Sequence, residues 1–209
     1  MTAADLRNPG PLVAWGCSSR ALRTTEPSGD LHVVAPFPSG TVVAALDGLG
    51  HGAEAAAAAE AGADIIQRHA GEPVIQIIQR CHEGLRRTRG VVLAIASFDA
   101  SENSLTWVGV GNIDASLFRA DDRRGDARVS LIMRGGVVGY QLPPLRVATL
   151  PLARGDTLIM ATDGIRGEFT SESPLGRDPQ AYADDMLRRY GKDTDDALSL
   201  AVRYLGLAP

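Results

Sequence analysis

Strand-like segments follow one another through the middle of the chain: Val91–Phe98, Ser104–Val110, Ile113–Arg119, Arg128–Met133, Leu145–Leu150 and Thr157–Ala161, with Gly, Asn or Asp between most of them. Such a run predicts consecutive antiparallel strands. Upstream, Leu12–Cys17 and Leu31–Pro36 read as short strands on either side of a polar, turn-rich stretch. Thr41–Leu46 reads as a buried strand that makes a hairpin through Pro38-Ser39-Gly40. The alanine-rich run from His51 to Ala70 has the composition of a helix, and Gly71-Glu72-Pro73 interrupts it. Val74–Thr88 follows with apolar residues at 74, 75, 77, 78, 81 and 85, spacings that suit one helical face. Asp178–Tyr190 reads as a third helix and Ala197–Leu205 alternates like a strand. This order predicts an α+β fold with helices segregated onto sheets rather than βαβ units. At 209 residues with no repeat or linker, residues 1–209 are expected to form one domain.

Composition removes several function classes. With 25 acidic against 21 basic residues the formal charge is −4, which offers no footprint for nucleic acid or an anionic membrane. The longest apolar runs, such as Ala55–Ala59, fall far short of the roughly 18 residues that span a bilayer. Met1–Pro11 lacks the basic start and apolar core of a secretory signal, so a cytoplasmic protein is expected. Cys17 and Cys81 stand apart without a CxxC spacing and read as free thiols. Cys81 and His82 are neighbours on a helix, where adjacent side chains diverge, so they do not make a nucleophile–base pair.

The chemistry-bearing stretch is Leu46-Asp47-Gly48-Leu49-Gly50-His51-Gly52-Ala53, a buried strand that ends in an aspartate and a glycine-rich turn leading into a helix. A carboxylate at a strand end is held rigidly, and glycines admit a ligand to the backbone without Cβ obstruction. Residues 48–53 also match G-x-G-x-x-A, but a dinucleotide site needs a parallel strand ending in an acidic residue about 20 positions on. Here the chain reads as helical instead. Asp30, Asp163 and the pair Asp195-Asp196 likewise fall at strand boundaries. Singly, each is explained by the turn chemistry of aspartate. Together with Asp47 they form a set of hard oxygen ligands suited to Mg²⁺ or Mn²⁺.

In order and approximate spacing, S-G-D at 28–30, D-G-L-G-H-G-A-E-A at 47–55, V-G-V-G-N-I at 108–113, G-G-V-V-G at 135–139, L-I-M-A-T-D-G-I at 158–165 and D-D-A at 195–197 resemble the PPM-type metal-dependent serine/threonine phosphatases, in their SpoIIE-like branch. The resemblance covers about residues 12 to 205. It implies a four-layer α-β-β-α sandwich of two antiparallel sheets flanked by helices, and a cluster of two Mn²⁺ or Mg²⁺ ions. Carried over, Asp47 would bridge both ions, Gly48 would contribute its carbonyl, and Asp163 and Asp195 would complete the catalytic set. Asp30 matches the aspartate of the family's G-G-D, with Ser28 in place of the first glycine, at or just outside the metal ligands. Asp196 is the weaker of the adjacent pair because neighbouring strand residues face opposite ways. Leu198 stands where the family has threonine, which loosens that register.

The implied reaction is hydrolysis of phosphoserine or phosphothreonine by metal-activated water, with no covalent enzyme intermediate. The implied partners are phosphorylated regulatory proteins of a bacterial stress pathway, stressosome scaffold or anti-sigma-antagonist proteins. No arginine is clearly placed for the phosphate; Arg20 and Arg23 are loop candidates, and His51 is a candidate general acid or a helix-start residue that merely packs. Two other readings use the same residues: a catalytically silent module that keeps the fold, and a hydrolase of small phosphate esters.

Overall fold

The computed structural model describes residues 11–121 and 127–206. Their elements run β1 (Val13–Arg20), β2 (Asp30–Phe37), β3 (Gly40–Gly48), α1 (Ala53–Arg68), α2 (Val74–Gly84), β4 (Val91–Asp99), β5 (Ser104–Val110), β6 (Asp114–Phe118), β7 (Arg128–Ser130), β8 (Ala148–Pro151), β9 (Thr157–Ala161), α3 (Pro179–Tyr190) and β10 (Ala197–Tyr204). A 3₁₀ turn at Gly167–Ser171 precedes α3. The strands form two five-stranded sheets, ordered β1-β10-β9-β6-β7 and β2-β3-β4-β5-β8, with antiparallel neighbours throughout.

Strand alternation builds three apolar layers. On β3, Val42, Ala44 and Leu46 point to the core shared with α1 and α2, whereas Val43 and Ala45 point into the core between the sheets. Leu158, Met160, Leu198, Leu200 and Val202 meet them from the other sheet. The far face of that second sheet, with Ile159, Ala161 and Ala201, packs on Tyr182 and Met186 of α3. Helices therefore cover both outer faces, which is the expected four-layer order. The alanines of α1 are explained by contact: Ala55, Ala58 and Ala59 are fully buried, and a Cβ on Gly62 would lie 2.8 Å from Leu46 Cδ2. Larger side chains would hold the helix off the sheet.

Several boundaries differ from the sequence expectation. β3 continues through Asp47 and Gly48, paired with Val92 and Val91. α1 starts at Ala53, not His51, because Gly50 and Gly52 adopt φ of 90° and 77°, outside right-handed helical space. α2 stops at Gly84, where Leu85 takes the cap position and Thr88 N–H turns back to the Leu85 carbonyl. The segment expected as strand 128–133 keeps pairing only to Ser130, and the one expected at 145–150 begins at Ala148. Between them lie Gly135-Gly136 and Pro143-Pro144, which weaken a ladder and remove donors from it. Among the described residues no helix is long and apolar enough to cross a membrane.

Candidate metal centre

The alternation that turns Val43 and Ala45 between the sheets also turns Asp47 there, at the end of the strand. Asp30, the first residue of β2, is its cross-strand partner. Asp30 is 4% exposed and accepts a hydrogen bond at 2.6 Å from Thr162 Oγ1, just beyond β9 in the other sheet. Thr162 Oγ1 in turn accepts from Leu198 N–H at 2.9 Å. The two sheets are thus tied at the end where the acidic strand termini meet.

Asp163 follows Thr162 and accepts a 2.7 Å hydrogen bond from Asn112 Nδ2, in the turn between β5 and β6. Lys192 Nζ donates to the Asp163 carbonyl at 2.6 Å. Asp195 and Asp196 divide their roles. Asp196 is 4% exposed, and its two carboxylate oxygens accept from Leu22 N–H and Gly29 N–H, both at 2.6 Å. It holds the loop between β1 and β2. Asp195, which accepts from Asp196 N–H at 2.9 Å, instead lines the cleft.

That cleft has a volume of about 400 Å³, and Asp47, Asp163, Asp195, Asn112, Gly50 and His51 are among its walls. Asp30 lies behind Asp47 rather than on the wall. Burial and then the charge of Asp30, Asp163 and the other neighbouring carboxylates push Asp47 up to about 8. Burial also pushes Asp30 up to about 7, against the hydrogen bond from Thr162. Asp195 is raised by the same two causes, burial first. Carboxylates so gathered, with other carboxylates as the leading charges around Asp47, call for cations. Among the described residues no three acidic, histidine or cysteine side chains already close into a metal cage. The carboxylates on this open cleft suit hard divalent ions that keep several waters.

Both D-G pairs have a steric reason for their glycine. A Cβ on Gly48 would lie 2.1 Å from the Ala55 carbonyl oxygen, and one on Gly164 would lie 1.8 Å from that of Asp196. Each aspartate therefore sits where another chain segment passes at backbone contact, which fixes its position.

Other candidates fall elsewhere. Arg20 pairs with Asp193 at 3.1 Å and donates to the Lys192 carbonyl, and Arg23 pairs with Glu26 at 2.9 Å; neither lines the cleft. His51 is on the wall, with Nδ1 3.4 Å from Glu26 Oε2. Cys17 and Cys81 are free, and burial pushes both thiols up to about 12. His82 turns away from Cys81 and accepts from Gly139 N–H at 3.0 Å. The G-x-G-x-x-A reading fails because β4, the next strand after the helices, runs antiparallel to β3. Asn112 was contained in the V-G-V-G-N-I motif, but its contact with Asp163 depends on bringing together residues 51 positions apart.

Two antiparallel sheets clad in helices, with aspartates gathered at one end, define a PPM-type phosphatase domain. The chain belongs to the SpoIIE family: the model for stage II sporulation protein E matches residues 38–205. It is 27% identical over 124 residues to the phosphoserine phosphatase RsbX of Bacillus subtilis (strain 168), a match covering 59% of this chain and 60% of that protein. A solved chain from a study of the bacterial stressosome, as a modular system adapted to control secondary messenger signalling, superposes with a TM-score of 0.82 at 26% identity, covering 91% of this chain and 99% of its own. RsbX in complex with magnesium superposes at 0.79 with 20% identity, over 92% of this chain and 95% of that one.

Proposed function

We propose that residues 1–209 act as one metal-dependent phosphoprotein phosphatase domain that removes phosphate from serine and threonine of regulatory proteins. The observation that carries this is the cleft wall on which Asp47, Asp163 and Asp195 converge from three separate strand ends. These three, with the Gly48 carbonyl, would hold two Mg²⁺ or Mn²⁺ ions, and Asp30 would back Asp47 from the buried side. When bound, such ions acidify a water and polarise phosphoryl oxygens. The chain's own part is positioning: Asn112 fixes the Asp163 carboxylate, Lys192 its carbonyl, and Asp196 the loop between β1 and β2. His51, on the wall and next to Glu26, is within the cleft where a leaving serine oxygen would take a proton.

The likeness to RsbX and to the stressosome structure supports substrates among stressosome scaffold or anti-sigma-antagonist phosphoproteins, and with them a cytoplasmic setting. The test is hydrolysis of p-nitrophenyl phosphate with Mn²⁺, with Mg²⁺ and with excess chelator, comparing the wild type with folded Asp47→Asn and Asp163→Asn. Metal-dependent turnover that either substitution abolishes is the expected result. Absence of both turnover and calorimetric metal binding would leave a silent module of the same fold.

A further inference from the structure

We propose that Arg89 grips the phosphoryl group of the substrate at the rim of the acidic cleft, an inference that rests on the phosphatase reading above. Arg89 lies in the connection from α2 to β4, directly before Gly90, whose carbonyl accepts from Leu49 N–H at 3.1 Å. That bond ties the connection to the Gly48-Leu49-Gly50 turn. The guanidinium is held along one edge: Nε donates to Glu54 Oε2 at 2.6 Å and Nη2 lies 2.5 Å from the same oxygen. Glu54 is itself anchored in the first turn of α1. The remaining nitrogen, Nη1, sits over Gly50, where a Cβ would lie 2.7 Å from it. Gly50 lines the cleft together with Asp47, Asp163 and Asp195.

The other cations near the cleft are engaged as well, each through the end of its side chain. Arg20 is held by Asp193, Arg23 by Glu26, and the Lys192 ammonium by the Asp163 carbonyl. Arg89 lines the adjoining pocket with Glu26, Glu54 and His51, a residue shared with the cleft, and its Nη1 reaches Gly50 on the cleft wall; its side chain is 47% exposed. A phosphate monoester brings close to two negative charges into a cleft walled by carboxylates, and a guanidinium fork matches phosphoryl oxygens in charge and geometry. Glu54 orients the fork without covering its third nitrogen. Gly50 takes a φ of 90°, which side chains rarely adopt, and Nη1 lies beside it, 2.7 Å from where a Cβ would be.

The test uses Arg89→Ala, Arg89→Lys and Glu54→Gln in the full chain. Inorganic phosphate is titrated calorimetrically into the Mn²⁺-loaded proteins, and kcat and KM are measured for p-nitrophenyl phosphate and for a phosphoserine peptide. In Arg89→Ala the affinity for phosphate is expected to fall about tenfold, with KM rising in step for both substrates and kcat changing less. Arg89→Lys should recover part of the loss, and Glu54→Gln should fall between Arg89→Ala and the wild type. Unchanged phosphate affinity and KM in Arg89→Ala would overturn the inference. So would a KM rise confined to the peptide, which would move Arg89 to contacts with flanking residues. A wild type without turnover would refute the phosphatase reading, and the phosphate titration would still decide Arg89: loss of binding in Arg89→Ala upholds it, equal or absent binding in both proteins overturns it.

Discussion

Asp30 and Asp47 stand directly opposite each other in the β2–β3 ladder, so one cross-strand pair between the sheets consists of two carboxylates. Like charges so placed destabilise a sheet, and their burial compounds the cost. In the metal-free protein the pair works against the fold, and a cation bound there would offset the repulsion.

The first prediction concerns pH. An unfolded aspartate releases its proton near 3.8, whereas in the metal-free fold Asp30 holds on to about 7 and Asp47 to about 8. The folded state therefore binds more protons across that window, and its stability falls as pH rises. The contribution is complete below about pH 4 and is lost on passing through 7 and 8. Thermal melts in chelator should show a midpoint that declines from pH 5 to 8.5, and saturating Mg²⁺ should flatten or reverse the slope. A chelated protein whose midpoint climbs through this range would contradict the linkage.

Asp47→Asn should divide stability from function. At pH 8.5 in chelator the variant is expected to gain about 1 kcal/mol over the wild type, since a repelling charge is gone. Its midpoint should no longer rise with Mg²⁺. Urea denaturation with and without the ion reads both effects.

The adjacent aspartates should behave oppositely. Asp196→Ala removes the acceptor of two backbone N–H groups and should cost roughly 2–4 kcal/mol in urea denaturation. Asp195→Asn should leave the denaturation midpoint within about 0.5 kcal/mol yet weaken Mn²⁺ binding, measured by calorimetry. A reversed pattern would exchange their roles.

Asn112→Ala leaves Asp163 without its 2.7 Å donor. Partners that orient metal ligands typically contribute 10–100-fold, so kcat/KM and metal affinity should fall by roughly that factor while the circular dichroism spectrum is retained. Asn112→Asp should be worse, because it adds another carboxylate to the cleft.

Much of this arrangement was readable from sequence because it depends on short-range signals. The apolar strand ending in Asp47-Gly48, the turn glycines and the alanine helix each announce themselves within a dozen residues. The sequence suggests ligand access as the reason for glycine after these aspartates; the structure supplies another, an approach by the Ala55 or the Asp196 carbonyl that no local pattern encodes. The same holds for Asn112 on Asp163 and for the pairing of β1 with β10, which joins the two ends of the described chain. Local alternation could favour Asp195 over Asp196, but only the tertiary fold reveals what occupies Asp196: the amides of Leu22 and Gly29. On either side of Gly135-Gly136 the strand-like composition of residues 128–133 and 145–150 reaches further toward the glycines than the paired segments Arg128–Ser130 and Ala148–Pro151 do.

β10 lies inside its sheet, between β1 and β9, and the residues just before it supply both a cleft carboxylate and the anchor of the β1–β2 loop. During synthesis, then, Asp30, Asp47 and Asp163 are all made before β10, the strand that completes the sheet holding β1 and β9. A nascent chain at that stage has acidic strand ends without a finished centre, and its edges at β1 and β9 are open to wrong partners. The wall of the cleft is therefore complete only once residues 195–204 are in place.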